Sequence, residues 1–187
     1  MAKAGQLSKL TRARKSSKTE GLFRISCKGM NMRPFKKEVV MKLKQIVLSI
    51  ENAPERLYEV TNALGEAGIN LRALNLVDTG EFGQLRLLVS DVATARRLLM
   101  EMQMPAFITE VVAAEISDTP KSLANLLKLL KDTGVYPQNM YAFHGSSPGK
   151  VVMIFRFSDN DKAIEILQGK GVTLLDAKAF GILESGK

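Results

Sequence analysis

Bond-making chemistry needs a nucleophile, a base or a metal, and this chain is poor in the residue types that supply them. His144 is the single histidine and Cys27 the single cysteine, so no Cys/His cluster with metal-ligand spacing exists and no intrachain disulfide forms. No nucleophile–base pair and no shared carboxylate pair can be read from the chain. His144 precedes Gly145-Ser-Ser-Pro-Gly149, a hairpin tip, and reads as solvated. Gly80, Gly83, Gly145 and Gly149 read as turn glycines, because no Gly-rich segment leads from a strand into a helix carrying Lys-Ser/Thr. Met100, Met102 and Met104 read as gap-filling core or interface. Binding chemistry is better represented. Twice an apolar run meets a polar residue and then a proline, in Asn52-Ala53-Pro54-Glu55 and Asp118-Thr119-Pro120-Lys121. A helix start there would present free N–H groups and the positive end of the helix dipole, which suit a carboxylate. An asparagine amide carries both donor and acceptor, so it can pair either pole of a zwitterion. The same residues also serve as plain helix N-caps.

The two segments belong to a repeat. At an offset of 66 residues Ile50–Leu57 lies over Ile116–Leu123, Leu64 over Leu130, Gly68 over Gly134 and Leu74 over Met140; two residues are then gained, and Ala95 matches Ala163. A repeat of this length is a domain-sized unit. In the first copy Gln45–Ile50 is a buried strand by type. Asn52 offers an N-cap with Pro54 in the first turn, and Leu57, Val60, Leu64 and Ala67 form one apolar stripe. Gly68 closes that helix in the left-handed conformation. Asn70–Val77 is a second strand, Asp78–Gly83 a turn, and Gln84–Val89 a third strand. Asp91 caps a helix with Ala95, Leu98, Leu99 and Met102 on one face, and Ile108–Ile116 is a fourth strand. The second copy repeats the order, with helices at Pro120–Thr133 and Asn160–Gly169 and strands at Val112–Ser117, Asn139–His144, Lys150–Phe157 and Leu174–Leu183.

The expected fold class is therefore α+β: two ferredoxin-like βαββαβ modules in tandem, each an antiparallel sheet with helices on one face. The expected units are 41–112 and 113–187, after a leader at 1–40. No linker separates the modules, so Ile108–Ser117 must end one and begin the other. Either this strand is long and passes between two half-sheets, or Leu174–Leu183 crosses over to complete the other module.

Net charge is +8, with 45% apolar and 25% charged residues. The charge is uneven. Residues 1–40 hold 11 Lys/Arg against 2 Asp/Glu, and the remaining 147 hold 16 against 17. The neutral repeat region argues against a nucleic-acid module, which would carry its basic face on the folded domain. The leader reads as a basic arm, a plain solvated tail or an overlong start, since Met41 opens the first strand; it has no apolar run of a secretory signal. No apolar run is long enough to cross a membrane. Cytoplasmic residence, and no cofactor, are the expectations.

The pattern strand, Asn/Asp-x-Pro-x-x-Leu, amphipathic helix, Gly-(Ile/Val)-Asn resembles the ACT domain. It stands here as Asn52-Ala53-Pro54-Glu55-Arg56-Leu57 with Gly68-Ile69-Asn70-Leu71, and the likeness covers roughly Lys42 to Leu183. The tandem resembles small free-standing double-ACT proteins. The resemblance implies regulatory binding of an amino acid or related small acid between modules, without catalysis. In modules resembling the serine-binding one of phosphoglycerate dehydrogenase, two asparagines eighteen residues apart hold the ligand, and Asn52 and Asn70 have that spacing. Repeat two has Asp118, Thr119 and Pro120 for the loop and Tyr136 for Asn70, so unequal sites are expected. The glycine usual after the loop proline is Glu55 and Lys121 here, where a side chain crowds the close approach glycine allows. The edge strands and the helix face support a second copy as partner, giving a homodimer by sheet extension. The alternative is a regulatory subunit acting by contact on an enzyme of amino-acid metabolism, such as an acetolactate-synthase-like small subunit. A ferredoxin-like RNA binder would need aromatic and basic strand faces that are missing here.

Overall fold

The computed structural model describes residues 41–144 and 148–183. The leader at 1–40, the tip of the second hairpin at 145–147 and the side chain of His144 lie outside what is described. The elements run β1 (Lys42–Glu51), α1 (Pro54–Glu66), β2 (Leu71–Asp78), β3 (Phe82–Val89), α2 (Val92–Glu101), β4 (Ala106–Ser117), α3 (Ser122–Leu130), β5 (Pro137–His144), β6 (Lys150–Phe157), α4 (Asn160–Gly169) and β7 (Thr173–Leu175). Among the described residues no helix is long and apolar enough to cross a membrane.

All seven strands join one antiparallel sheet in the order β2-β3-β1-β4-β6-β5, with β7 also on β4. Of the two expectations for the shared strand, the long strand passing between two half-sheets is the one met. β4 is 12 residues long. Its first half pairs with β1, from Leu48 opposite Ala106 to Lys42 opposite Val112, and its second half pairs with β6, from Phe155 opposite Val112 to Lys150 opposite Ser117. Val112 has both partners, so β1 and β6 lie on opposite edges of β4. β7 meets β4 at Ala113–Glu115, where β6 also pairs, so β7 continues the β1 edge. β4 is thus the edge strand of the first repeat and a central strand of the second.

The repeat is reproduced in its irregularities. A bulge falls between Leu71 and Ala73 in β2 and between Pro137 and Asn139 in β5. Gly68 and Gly134 both take positive φ, 71° and 78°, the left-handed turn that ends a helix where a Cβ would be strained. Asp91 and Asp159 both cap their helices, accepting from the amides of Thr94 and Lys162 at 3.0 Å.

The helices cover one face. Val112 and Ala114 of β4 pack with Leu126, Leu130, Ala163 and Leu167 of α3 and α4; Ile46 and Leu48 of β1 share that face by register and are buried with Val60, Leu64, Ala95 and Leu99 of α1 and α2. The helix-free face is covered in part by the C-terminal segment. The sequence pattern reads Leu174–Leu183 as a strand, but pairing stops at Leu175. Asp176 Oδ1 then accepts from the amide of Ala179 at 2.8 Å and the chain turns. Ala177, Phe180 and Ile182 are buried in the first repeat's core beside Val152 and Ile154, and Phe180 meets Phe143 edge-on with ring centroids 5.3 Å apart. The segment ends on the first repeat, where the amide of Leu183 donates to Ser90 O at 2.7 Å.

The helix-free face is concave. Tyr141 on β5 donates its hydroxyl to Gln45 Oε1 on β1 at 2.8 Å, three strands away in sheet order. A flat sheet would separate those strands by about 14 Å, beyond a tyrosine's reach, so the sheet curls around this face.

Candidate functional site

Pro54 starts α1 because its fixed φ suits a helix and its missing N–H is not needed in the first turn. The capping position belongs to Ala53, which makes no side-chain cap bond. The expectation that Asn52 caps this helix is therefore corrected. Its amide instead donates across to the β2–β3 turn, to Asp78 Oδ1 at 3.2 Å and Gly80 O at 3.3 Å, and its backbone amide donates to Glu81 O at 3.1 Å. A carboxylate and a carbonyl on that turn attract the amide more directly than the amides of a helix whose first residue is proline. Glu55 lies in the first turn, where its charge complements the helix dipole. Arg56 pairs with Glu51 at 3.1 Å and Glu59 at 3.0 Å, and Leu57 packs half-buried on the first core.

Asn70 sits at the other end of β2. Its backbone amide donates to Ser90 Oγ at 2.9 Å, and its backbone carbonyl accepts from the amide of Ser90 at 2.9 Å; Leu71 then opens the strand. Asn52 is anchored beside Asp78, and Asp78 lies eight residues along the chain from Asn70, about 26 Å for an extended strand. Within one chain the two asparagines cannot touch one small ligand.

Repeat two copies the frame. The amide of Asp118 donates to Gly149 O at 2.9 Å, the amide of Tyr136 to Ser158 Oγ at 3.2 Å, and the amide of Ser158 to Tyr136 O at 2.9 Å. Asp118 does not cap α3, and the helix starts at Ser122 and ends at Leu130, inside the expected Pro120–Thr133. Lys121 takes the capping position in the left-handed conformation, φ 72°. The chain thus adopts at Lys121 the backbone that the family's glycine would favour, and Thr119 Oγ1 and Ser122 Oγ are joined at 2.8 Å across it. Glu55, its counterpart, is simply helical. Tyr136 is exposed.

A cavity of about 290 Å³ lies beside the first loop, lined by Glu51, Arg56, Phe82 and Gln103 among others. A second of about 350 Å³ is lined at the corresponding positions by Ser117, Ser122, Lys150 and Gly171. The repeat reproduces the hollow but not its chemistry, and neither lining includes Asn52, Asn70, Asp118 or Tyr136. Glu51, Phe82 and Gln103 were not singled out by sequence reasoning. A signal was available for Gln103: it occupies the position of Gly171 and takes the same positive φ, 59° against 76°. Among the described residues no group of His, Cys, Asp and Glu is arranged to hold a metal ion.

Comparisons with known proteins agree with this frame. The family model described as an ACT domain pair matches residues 41–182. The crystal structure of protein BT0572 from Bacteroides thetaiotaomicron is similar at 36% identity, with 76% of this chain and 98% of that one covered and a TM-score of 0.71. The ligand-free regulatory subunit of aspartate kinase from Thermus thermophilus is 17% identical over 69% of this chain and 92% of its own, TM-score 0.51. The corresponding subunit from Thermus flavus is 19% identical over 75% and 94%, also at 0.51. At these identities the two subunits show the shared fold alone. A comparison with curated proteins returned no match.

Proposed function

This chain belongs to the ACT domain family, and on that premise we propose that it is a non-catalytic regulatory protein that binds an amino acid or related small acid at a seam between two copies. The observation that carries the reading is the placement of Asn52 and Asn70 at opposite ends of β2. Among the described residues β2 is an outer strand of the sheet with no partner on its second edge, and such an edge favours strand addition. Two copies joined antiparallel along β2 about a two-fold axis bring Asn70 of each to the end of the other that carries Asp78 and Asn52. The edge is also apolar enough to bury: Leu74 and Leu76 of β2 and Tyr58 of α1 are exposed. A ligand in that seam would meet one asparagine from each copy, with the Pro54 helix start and Arg56 close by, and would favour one packing of the copies over another.

A second reading rests on the opposite edge. β5 is the other outer strand of the described sheet; exposed Tyr136 leads into it, exposed Met140 lies on it, and it lacks the asparagine pair. That edge suits contact with a partner enzyme of amino-acid metabolism.

Complementation tests the first reading. In a thermal-shift screen of the full chain against the twenty amino acids and their keto acids, ligand at a hundred times its dissociation constant adds roughly 2.7 kcal/mol. Asn52→Ala and Asn70→Ala should each abolish the shift, and an equimolar mixture of the two, exchanged to mixed dimers, should regain part of it, because one seam end is then intact. If the mixture stays silent while each variant folds and dimerises, the ligand site does not span two copies. No shift with any ligand moves the assignment to the contact reading, and co-purification of an enzyme then decides.

A further inference from the structure

The concave, helix-free face carries a half-buried guanidinium with no counter-ion among the described residues. The registers place Asn75 beside Arg86, Arg86 beside Val47, and Gln45 two residues back on the same face of β1; Gln45 pairs with Thr109. On the second repeat Ala113 pairs with Ile154, Ile154 with Tyr141, and Arg156 follows two residues on, so all of these project from one face. Arg86 is held by neutral oxygens only. Its Nη1 donates to Asn75 Oδ1 at 3.0 Å, and its Nη2 donates to Gln84 Oε1. Among the described residues the ion pairs involve Lys42 and Arg56 alone, so neither Arg86 nor Arg156 meets a carboxylate.

A charged side chain is rarely taken out of water without a partner, since desolvation then goes uncompensated. Here burial lowers the Arg86 pKa first, and the like charge of Arg156 lowers it further, while Tyr141 acts in the opposite sense. The cost is avoidable in this fold. At the repeat-equivalent position, 68 residues on, the chain has Ile154, fully buried, and Asn75 has Tyr141 as its counterpart. Where the second repeat pairs Tyr141 with Ile154, the first pairs Asn75 with Arg86 on the face that both modules curl around. Gln45, 1% exposed, fixes the rest of the floor: it accepts from the Tyr141 hydroxyl and donates to Thr109 Oγ1 at 3.2 Å. Phe107, 68% exposed and paired with Val47, supplies an apolar rim.

We infer that this concave face is a second binding site, for a small polyvalent anion bearing carboxylate or phosphate groups, held between the pre-oriented Arg86 and the exposed Arg156. Two guanidiniums recognise such groups through paired, charge-assisted hydrogen bonds. The amide oxygens of Asn75 and Gln84 orient Arg86 without neutralising it, which leaves its charge for the ligand. The site lies on a different face from the β2 seam and does not depend on it.

Citrate and pyrophosphate serve as probes, each titrated into the full chain at fixed ionic strength against chloride, with thermal midpoint and calorimetric affinity as readouts. The two anions separate carboxylate from phosphate preference. Arg156→Gln, an exposed change, should weaken the preferred anion at least about tenfold, the worth of one charge-assisted contact. Arg86→Ile, which copies repeat two, should remove the response while leaving the anion-free midpoint unchanged or higher. Equal affinities in the wild type and both variants would overturn the site, as would a chloride response equal to that of both probes, since the leader's charge is common to all three proteins. A lowered anion-free midpoint in Arg86→Ile together with a preserved response would show that Arg86 serves folding alone. Should that variant not fold, Arg156→Gln decides.

Discussion

The Asp91 carboxylate accepts from the Thr94 amide at 3.0 Å and its hydroxyl at 2.8 Å, and these bonds, the backbone one foremost, hold its pKa below the ordinary 3.8. A depressed folded pKa means that the cap stabilises at pH above the unfolded value and fades as pH falls through the folded one. Asp91→Ala should therefore cost about 1 kcal/mol near neutrality, and the gap to wild type should close in strongly acidic buffer. Asp91→Asn should keep most of the cap without that pH dependence; urea denaturation at neutral and acid pH measures both. This cap was legible because Asp91 directly precedes an apolar-periodic run with Thr three residues on. Asn52 was misread by the same rule. Its competing acceptors, Asp78 and Gly80, are 26 and 28 residues away, and no local window contains them. The six-residue segment from Asn52 to Leu57 was correctly placed as one loop and helix start, but its distance from Asn70 follows from the strand between them, which spacing along the chain conceals.

Among the elements, the C-terminal segment differs most from its expectation. Leu174, Leu175, Ala177, Phe180 and Ile182 look like one apolar strand, yet Asp176 and Gly181 are turn residues, and Gly181 takes φ 60°. The segment leaves the sheet because the helix-free face offers it a hydrophobic surface around Val152, Ile154 and Phe143 of the second repeat's strands, continuous with the first repeat's core, a tertiary reward invisible to strand periodicity. Arg72 fastens it, donating to Gly181 O at 3.0 Å. Phe180→Ala should cost about 3 kcal/mol, read as a lower urea midpoint with little change in slope. Its effect should appear in the first repeat, as faster hydrogen exchange around β1 and β3, although the residue belongs to the second by sequence. The remaining strands and α1, α2 and α4 were legible to within a few residues, since their apolar periods are clean and turn chemistry punctuates them. The two halves of β4 were legible too, but choosing between its two topologies needed the pairing at Val112.

At the scale of the whole molecule, two repeats share one strand, and the first core contains residues from the second repeat and its C-terminal segment. The first repeat does not close its core alone. Calorimetry of the full chain should show one transition whose van't Hoff and calorimetric enthalpies agree; two resolved transitions would mean that the modules are independent. The shared strand also ties the handedness of the architecture to a matter of odd and even. Successive residues of β4 point to opposite faces, and Val112 carries that alternation unbroken from the β1 ladder to the β6 ladder. One residue inserted at this point would invert every later side chain, so that the second helix pair would be called to the opposite side of the sheet from the first, whereas two inserted residues would restore it. The common side occupied by the four described helices is thus a parity condition on the twelve residues of β4.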